Sequence, residues 1–245
     1  HPVDEEGIVL NERPCDYYYV TPGHQVPTGV TMSSARRRQL LEHAARHDAV
    51  IIEDDYDSES NFTLNPLPAL KASDRSGRVV YVSSLSKALS PGLRLGFMVA
   101  DPDLIDEARA LRRLVYRHPP TNIQYQMAHF LAQGHYETHL RRYHFDSAQR
   151  WERLHAALQR YLPSCRALAG SEHANAFWLQ TPAQINTQQL TWRAAHAGVL
   201  IEPGARHFLN AAPPDNYFRM GFHAINPDAI AQGVEVLRGQ LEQMG

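Results

Sequence analysis

Along its first hundred residues the chain alternates short apolar runs with amphipathic or polar stretches. "YYYV" (17–20) is followed by a helical pattern, then "AVIIED" (49–54), a polar loop, "RVVYVSS" (78–84) and "LRLGFMVA" (93–100). Runs of this length have the size of strands, and their alternation with helical spacing is the rhythm of an α/β sheet. The helix between the first two runs is expected to start after a cap at Ser33 or Ser34. Its core face would carry Leu40, Leu41, Ala44 and Ala45, with the arginine run at 36–38 as a solvated face. From 103 to about 161 the pattern is mostly helical. It breaks at "HPPTN" (118–122), where Pro119 and Pro120 stop one helix and Thr121 is expected to cap the next. "NAFWLQ" (175–180), a helical stretch over 187–197, "GVLIEPG" (198–204), "YFRMGFH" (217–223) and a closing helix over 227–244 then form a smaller α+β unit.

Charge is nearly balanced, with 24 basic against 26 acidic residues, so no net field recommends this segment for nucleic acid. Cys15 and Cys165 stand far apart and match no metal spacing, which points to a reducing compartment and no disulfide framework. The apolar runs are too short to cross a membrane. The chain opens at His1, and is expected to be part of a longer polypeptide.

Of the 24 basic residues, 22 are arginine; the two lysines are Lys71 and Lys87. Positive charge alone would not call for a lysine in such a chain. An amine can lose its proton, attack a carbonyl and form an imine, which a guanidinium cannot. Lys87 follows the strand-like "VVYVSS" with Ser84 and Ser86 beside it, and ligands of open α/β sheets gather at the carboxyl ends of strands. The plain alternative is a solvated surface lysine. Lys71, in "ALKASD", reads as that kind.

"IIEDDYDSE" (51–59) ends another apolar run with a burst of acids. Asp54 and Tyr56, two apart on an extended chain, would lie on the same side, where a carboxylate can hold a pyridine nitrogen protonated and a phenol can reach a neighbouring oxygen. A Mg²⁺ site or a solvated turn fits the acids equally. Arg94, in "SPGLRLG", offers a planar fork for a phosphate, with Ser84 contributing a hydroxyl. Arg219, among apolar neighbours in "YFRMGF", suits either a ligand carboxylate or an internal salt bridge. His135 and His139 have helical i,i+4 spacing but no third metal ligand, and read as solvated; no metal site is expected. HExxH, GxSxG, GxGxxG and P-loop motifs are absent.

Taken together, "VTPGHQVPTGVTMSSARRRQLL", "VIIEDDYDSE", "SSLSKALSPGLRLGF" and "YFRMGF" resemble, in order and spacing, the aminotransferase-like domain of MocR/GabR regulators of the GntR family, relatives of fold-type I pyridoxal-phosphate enzymes. The resemblance covers essentially the whole chain. It implies that residues 1–140 are the C-terminal half of a large cofactor domain, with a mostly parallel sheet flanked by helices. Residues 141–245 would be a connector helix and a small α+β domain. Pyridoxal 5'-phosphate is the implied cofactor, with Lys87 as its Schiff-base lysine, Asp54 at the pyridine nitrogen and Tyr56 at the phenolic oxygen. Ser84 and Arg94 are implied at the phosphate, and Arg219 at a substrate carboxylate. "HQVPTG" stands where ordinary aminotransferases have "NPTG", so His24 or Gln25 takes the place of the cofactor-touching asparagine. A small amino compound would be the effector, and DNA would be met only through a winged helix-turn-helix domain outside this chain. The expected assembly is a cytoplasmic homodimer without membrane contact. Sensing is the reading for the family's regulators, and the alternative is an active class I/II aminotransferase. A cofactor-free interaction module would instead leave Lys87 facing solvent, far from Asp54.

Overall fold

The computed structural model describes residues 1–11, 15–62, 66–168 and 175–244. It divides into two compact units, His1–Gln25 with Thr31–His144, and Val26–Val30 with Phe145–Gly245.

The first unit opens with a short antiparallel hairpin, β1 (Val3–Asp4) and β2 (Gly7–Ile8), and then builds its main sheet. Strand β3 (Tyr17–Val20), helix α1 (Ser34–Arg46), strand β4 (Val50–Asp55), the short helix α2 (Leu70–Ser73) and strands β5 (Val79–Ser84) and β6 (Gly96–Val99) follow in order. The sheet order is β3-β4-β5-β6. The first two pairings are parallel and the last, β5 with β6, is antiparallel. In β3 the period-two pleat buries Tyr18 and Val20 and leaves Tyr17 and Tyr19 65% exposed.

Ser33 caps α1 as expected, its hydroxyl accepting the amide of Arg36 at 3.1 Å. The core face differs from the expectation. Leu40 and Ala44 are buried, but Ala45 is exposed, and His43 packs edge-on against Tyr18. The arginine run is not one solvated face, because successive helix residues point about 100° apart. Arg36 pairs with Asp4 and Glu6, Arg37 turns inward, and only Arg38 is exposed.

Lys71 also departs from the expected solvated loop. It lies on α2, partly buried, with its ammonium 3.3 Å from Asp74.

Three helices close the described order of this part of the chain: α3 (Pro102–Val115), α4 (Thr121–Ala132) and α5 (His135–Tyr161), the last running across the division between the units. Asp101 caps α3 through the amide of Asp103, yet no residue of α3 is buried. Thr121 is not the cap of α4 but its first helical residue. Pro120 is the cap, its carbonyl accepting the amide of Gln124.

The second unit places β7 (Arg166–Ala167), β8 (Ala176–Gln180), α6 (Thr187–His196), β9 (Glu202–Pro203), β10 (Tyr217–Gly221) and α7 (Ile230–Glu242) after α5. Its sheet is antiparallel throughout, in the order β7-β8-β10-β9. Phe177, Phe218 and Phe222 are buried with Leu190 of α6 and Leu237 of α7, as the apolar runs require. At Gly204 a Cβ would come within 2.5 Å of the Trp178 ring and 2.6 Å of the Tyr217 Cβ, so the turn after β9 accepts only glycine. Among the described residues, no helix is long and apolar enough to cross a membrane.

Candidate functional site

β5 ends at Ser84, whose register partner across the sheet is Gly96. A Cβ on Gly96 would sit 2.7 Å from the Ser83 carbonyl oxygen, so glycine is required for β6 to close this turn against β5. Lys87 lies in the loop between the two strands. The Ser84 hydroxyl accepts the Ser86 amide at 3.2 Å, and a ring nitrogen of His139 on α5 lies 2.6 Å from the Ala88 carbonyl oxygen. His139 is therefore a strut for this loop rather than a solvated histidine. Between these anchors the Lys87 amine stands 4.5 Å from the centre of the Tyr56 ring and 3.6 Å from a carboxylate oxygen of Asp57. Its side chain is 28% exposed, partly withdrawn from solvent to about the same degree as that of Lys71, so its partners rather than its burial set it apart.

The acids after β4 separate by strand geometry. Alternation sends Glu53 and Asp55 to one face of the sheet and Asp54 to the other. Asp54 accepts a hydrogen bond from the Tyr19 hydroxyl, which pushes the Tyr19 phenol up to about 12, with burial adding to the shift. Glu53 accepts the amides of Leu70 and Lys71 at 2.6 and 2.8 Å, and Asp55 accepts the Tyr81 hydroxyl at 2.8 Å. The strand stops at Asp55, so the i,i+2 relation of Asp54 and Tyr56 on an extended chain does not hold. Tyr56 instead sits in the turn that follows, under the Lys87 amine, and its hydroxyl donates to the His24 carbonyl at 3.5 Å. Asp57, 2% exposed, takes a 2.9 Å hydrogen bond from Nδ1 of His24, itself 3% exposed. A carboxylate only accepts, so that ring nitrogen carries the hydrogen.

Behind this cluster is a cavity of about 50 Å³ lined by Gly23, His24, Arg37, Glu53, Asp55 and Asp57, among others. Arg37 holds its fork against three backbone carbonyls, those of Met32, Pro68 and Pro22, at 2.9, 2.6 and 2.9 Å. Burial pulls the Arg37 guanidinium down and pushes the Glu53 and Asp55 carboxyls up; their mutual attraction opposes all three shifts. The amides at Glu53 and the Tyr81 hydroxyl at Asp55 act in the same restraining sense.

Arg94 follows a turn of 3₁₀ helix, Pro91–Leu93, and has φ of 49°, the left-handed region where a side chain costs about 1–2 kcal/mol. Arg94→Gly is therefore expected to leave stability unchanged or raise it by up to about 1 kcal/mol in urea melts, since the relieved strain outweighs the extra freedom of the unfolded glycine. A measured loss of stability would show that the arginine side chain itself supports the loop. In the second unit Arg219 is 3.4 Å from Glu202, which also faces Arg206 and His207 at 3.5 and 3.4 Å. Burial lowers the His207 imidazole, against the pull of Glu202. The internal salt bridge anticipated for Arg219 is thus present.

Of the residues singled out in the sequence, Lys87, Tyr56 and His24 are brought together. Asp54 has its described contact with Tyr19, and Ser84 and Arg94 flank the lysine loop at either end. Asp57, of the same burst of acids, joins Lys87 and His24 although the extended i,i+2 spacing does not anticipate it, because the chain turns after β4. Among the described residues no group of three or more His, Cys, Asp or Glu side chains is placed to hold a metal ion.

The family model "Aminotransferase class I and II" matches residues 20–237. The chain belongs to the class I and II aminotransferase family. Within that family, the α-aminoadipate aminotransferase LysN of Thermus thermophilus, solved with N-(5'-phosphopyridoxyl)-L-leucine, has a TM-score of 0.90 at 27% identity, over 99% of this chain and 64% of that one. The kynurenine aminotransferase of Pyrococcus horikoshii gives 0.89 at 27%, over 99% and 63%. Curated relatives include the HTH-type transcriptional regulator TauR of Rhodobacter capsulatus, 38% identical over 95% of this chain and 48% of its own length. The probable rhizopine catabolism regulatory protein MocR of Rhizobium meliloti is 34% identical over 97% of this chain and 48% of its own length. The chain spans about half the length of these regulators. The resemblance read from "EDDYDSE" and "SLSKALSPGLRLG" thus extends across both units of this aminotransferase-family chain.

Proposed function

We propose that the chain is the effector-sensing, pyridoxal-phosphate-binding portion of a MocR/GabR-type transcriptional regulator. The observation that carries the reading is the Lys87 amine, held at the carboxyl end of β5 against the Tyr56 ring and Asp57 in a chain that otherwise uses arginine. The donor set suits the cofactor: an amine with a phenol beside it, hydroxyls at Ser84 and Ser86, and a guanidinium at Arg94, which follows the turn Pro91–Leu93. When bound, the cofactor supplies an aldehyde that accepts amines and a ring that withdraws electrons. Lys87 would hold the aldehyde carbon, Asp54 the ring nitrogen, Tyr56 and His24 the edge bearing the phenolic oxygen, and Ser84 with Arg94 the phosphate. Arg219, released from Glu202, would receive the carboxylate of an amino effector.

The regulator reading is supported over catalysis by the identities of 38% and 34% to TauR and MocR, against 27% to the solved aminotransferases. DNA contact would belong to a winged helix-turn-helix domain elsewhere in the polypeptide, and the site of action would be the cytoplasm. A homodimer is the proposed assembly, supported by the open apolar face of α3, where Leu111, Leu114 and Val115 are exposed. Static light scattering of the full-length protein tests it, with a monomer counting against the proposal.

An active aminotransferase is the second reading, favoured by the close fold match to the solved enzymes. The full-length protein loaded with pyridoxal phosphate and exposed to a panel of amino acids and amines separates the two. A sensor is expected to change its visible spectrum with one amino compound, and its DNA affinity with it, without releasing a stoichiometric excess of keto product. Multiple turnovers of keto acid would overturn the sensing role.

A further inference from the structure

We infer that Asp57 is a positioning residue that fixes the proton and the direction of the Lys87 amine, and that His24 sets how much of the Asp57 charge the amine feels. The inference rests on the reading of Lys87 as the imine-forming lysine, and adds to it a buried pair of groups to which the sequence motifs assign no such role.

The geometry is a short chain of contacts. Nδ1 of His24 is 2.9 Å from Oδ2 of Asp57, and the same oxygen is 3.6 Å from the Lys87 nitrogen. One carboxylate oxygen therefore serves two cations or donors at once. Both His24 and Asp57 are almost wholly buried, while Lys87 is at the rim, so the carboxylate acts on the amine through protein rather than through water. At low dielectric a charge at this separation governs protonation strongly. The Tyr56 ring, 4.5 Å away, adds cation–π attraction for the ammonium and limits the directions in which the amine can swing. The arrangement keeps the amine protonated and pointed until another group takes its place, and it offers a carboxylate oxygen beside the nitrogen for the proton that must leave before attack on a carbonyl.

Other charges surround the pair. Asp55 interacts with both Asp57 and His24, and with Arg37 deeper in. Arg37 in turn faces Glu53 and Asp55. From α5, His139 holds the Ala88 carbonyl next to Lys87. Asp57 is in direct contact with the amine, so removing its carboxylate is expected to change what the lysine feels.

The two lysines make the test internal. Trace acetic anhydride labels deprotonated amines, and peptide mapping of the cofactor-free full-length protein gives the labelling of Lys87 relative to Lys71, whose partner is Asp74. In Asp57→Asn, which keeps the size of the side chain and an acceptor for His24, the Lys87 to Lys71 ratio at pH 8 is expected to rise about tenfold, the smaller end of what an adjacent opposite charge does. In His24→Leu, which fills a similar space but removes the donor to Asp57, the ratio is expected to fall below wild type, because the carboxylate then bears more fully on the amine. Opposite signs are the signature, since a general loosening of the loop would expose Lys87 and raise the ratio in both variants. An unchanged ratio in Asp57→Asn, or a shift of the same sign in both variants, would overturn the inference. Borohydride trapping of the loaded wild type addresses the underlying reading separately. A pyridoxyl group on a residue other than Lys87 sinks that reading, whereas the labelling ratios decide the Asp57 coupling.

Discussion

Lys87→Arg is expected to abolish covalent retention of pyridoxal phosphate while leaving part of its non-covalent binding. Borohydride reduction of the loaded wild type should fix a pyridoxyl group on the peptide containing Lys87, and the same treatment of the variant should fix none. The reason is chemical rather than electrostatic. A guanidinium stays protonated at any working pH and offers no nucleophilic lone pair, whereas an amine needs only to lose one proton. The variant keeps a cation near Asp57 and over Tyr56, so the loop is expected to hold its shape, and Ser84, Arg94 and Asp54 remain to bind the phosphate and the ring. The loss should therefore appear in the visible spectrum and in trapping, and far less in the melting temperature. Lys71→Arg is the matched control. Its charge remains within reach of Asp74 and its backbone amide still donates to Glu53, so spectrum and trapping should match the wild type. A pyridoxyl group on Lys71, or an unchanged spectrum in Lys87→Arg, would refute the assignment of the lysine.

Much of this is legible in the sequence because strand runs and a lysine in an arginine-rich chain are local signals. "YYYV" is a strand at its written position, "AVIIED" (49–54) and "RVVYVSS" (78–84) give strands shifted or shortened by one residue, Val50–Asp55 and Val79–Ser84, and Ser33 caps its helix, since pleat and cap are decided within a few residues. The departures have two causes. Arg37 and His43 carry polar heads whose burial depends on partners distant in sequence, Pro68 and Pro22 for Arg37 and Tyr18 for His43; Lys71 has a local partner, Asp74, but lies on a one-turn helix too short for periodicity to signal. Asp57 is hidden for the first of these reasons, because His24 lies 33 residues away and only the fold brings its ring to the carboxylate. The antiparallel return of β6 was likewise beyond reach of periodicity, since apolar spacing does not encode strand direction.

The second large effect is expected at Arg37, where Arg37→Met should destabilise the protein by about 3–5 kcal/mol, the range for removing one partner of a buried charged cluster. The side chain is 8% exposed, and its fork satisfies the carbonyls of Met32, Pro68 and Pro22 while facing Glu53 and Asp55. Methionine fills most of the space but leaves three acceptors without that donor, and the buried Glu53 and half-buried Asp55 without their cation. The pH dependence has a definite sign. Burial already raises Glu53 and Asp55 above their unfolded values, near 4 for ordinary carboxyls. A group raised in the folded state keeps its proton where the unfolded chain has released it, so its contribution to stability falls as pH rises from about 4 towards the folded value. Loss of the guanidinium raises both further and widens that window upward. The deficit of Arg37→Met relative to wild type should therefore be largest at pH 7 and shrink by pH 5.5, a comparison in which histidines common to both proteins largely cancel. Urea melts of the two proteins at both pH values supply the measurement. A deficit under about 1 kcal/mol at pH 7 would mean that the cluster is wetter than its burial indicates, and a deficit that grows on acidification would mean that the carboxyls are not the groups Arg37 restrains.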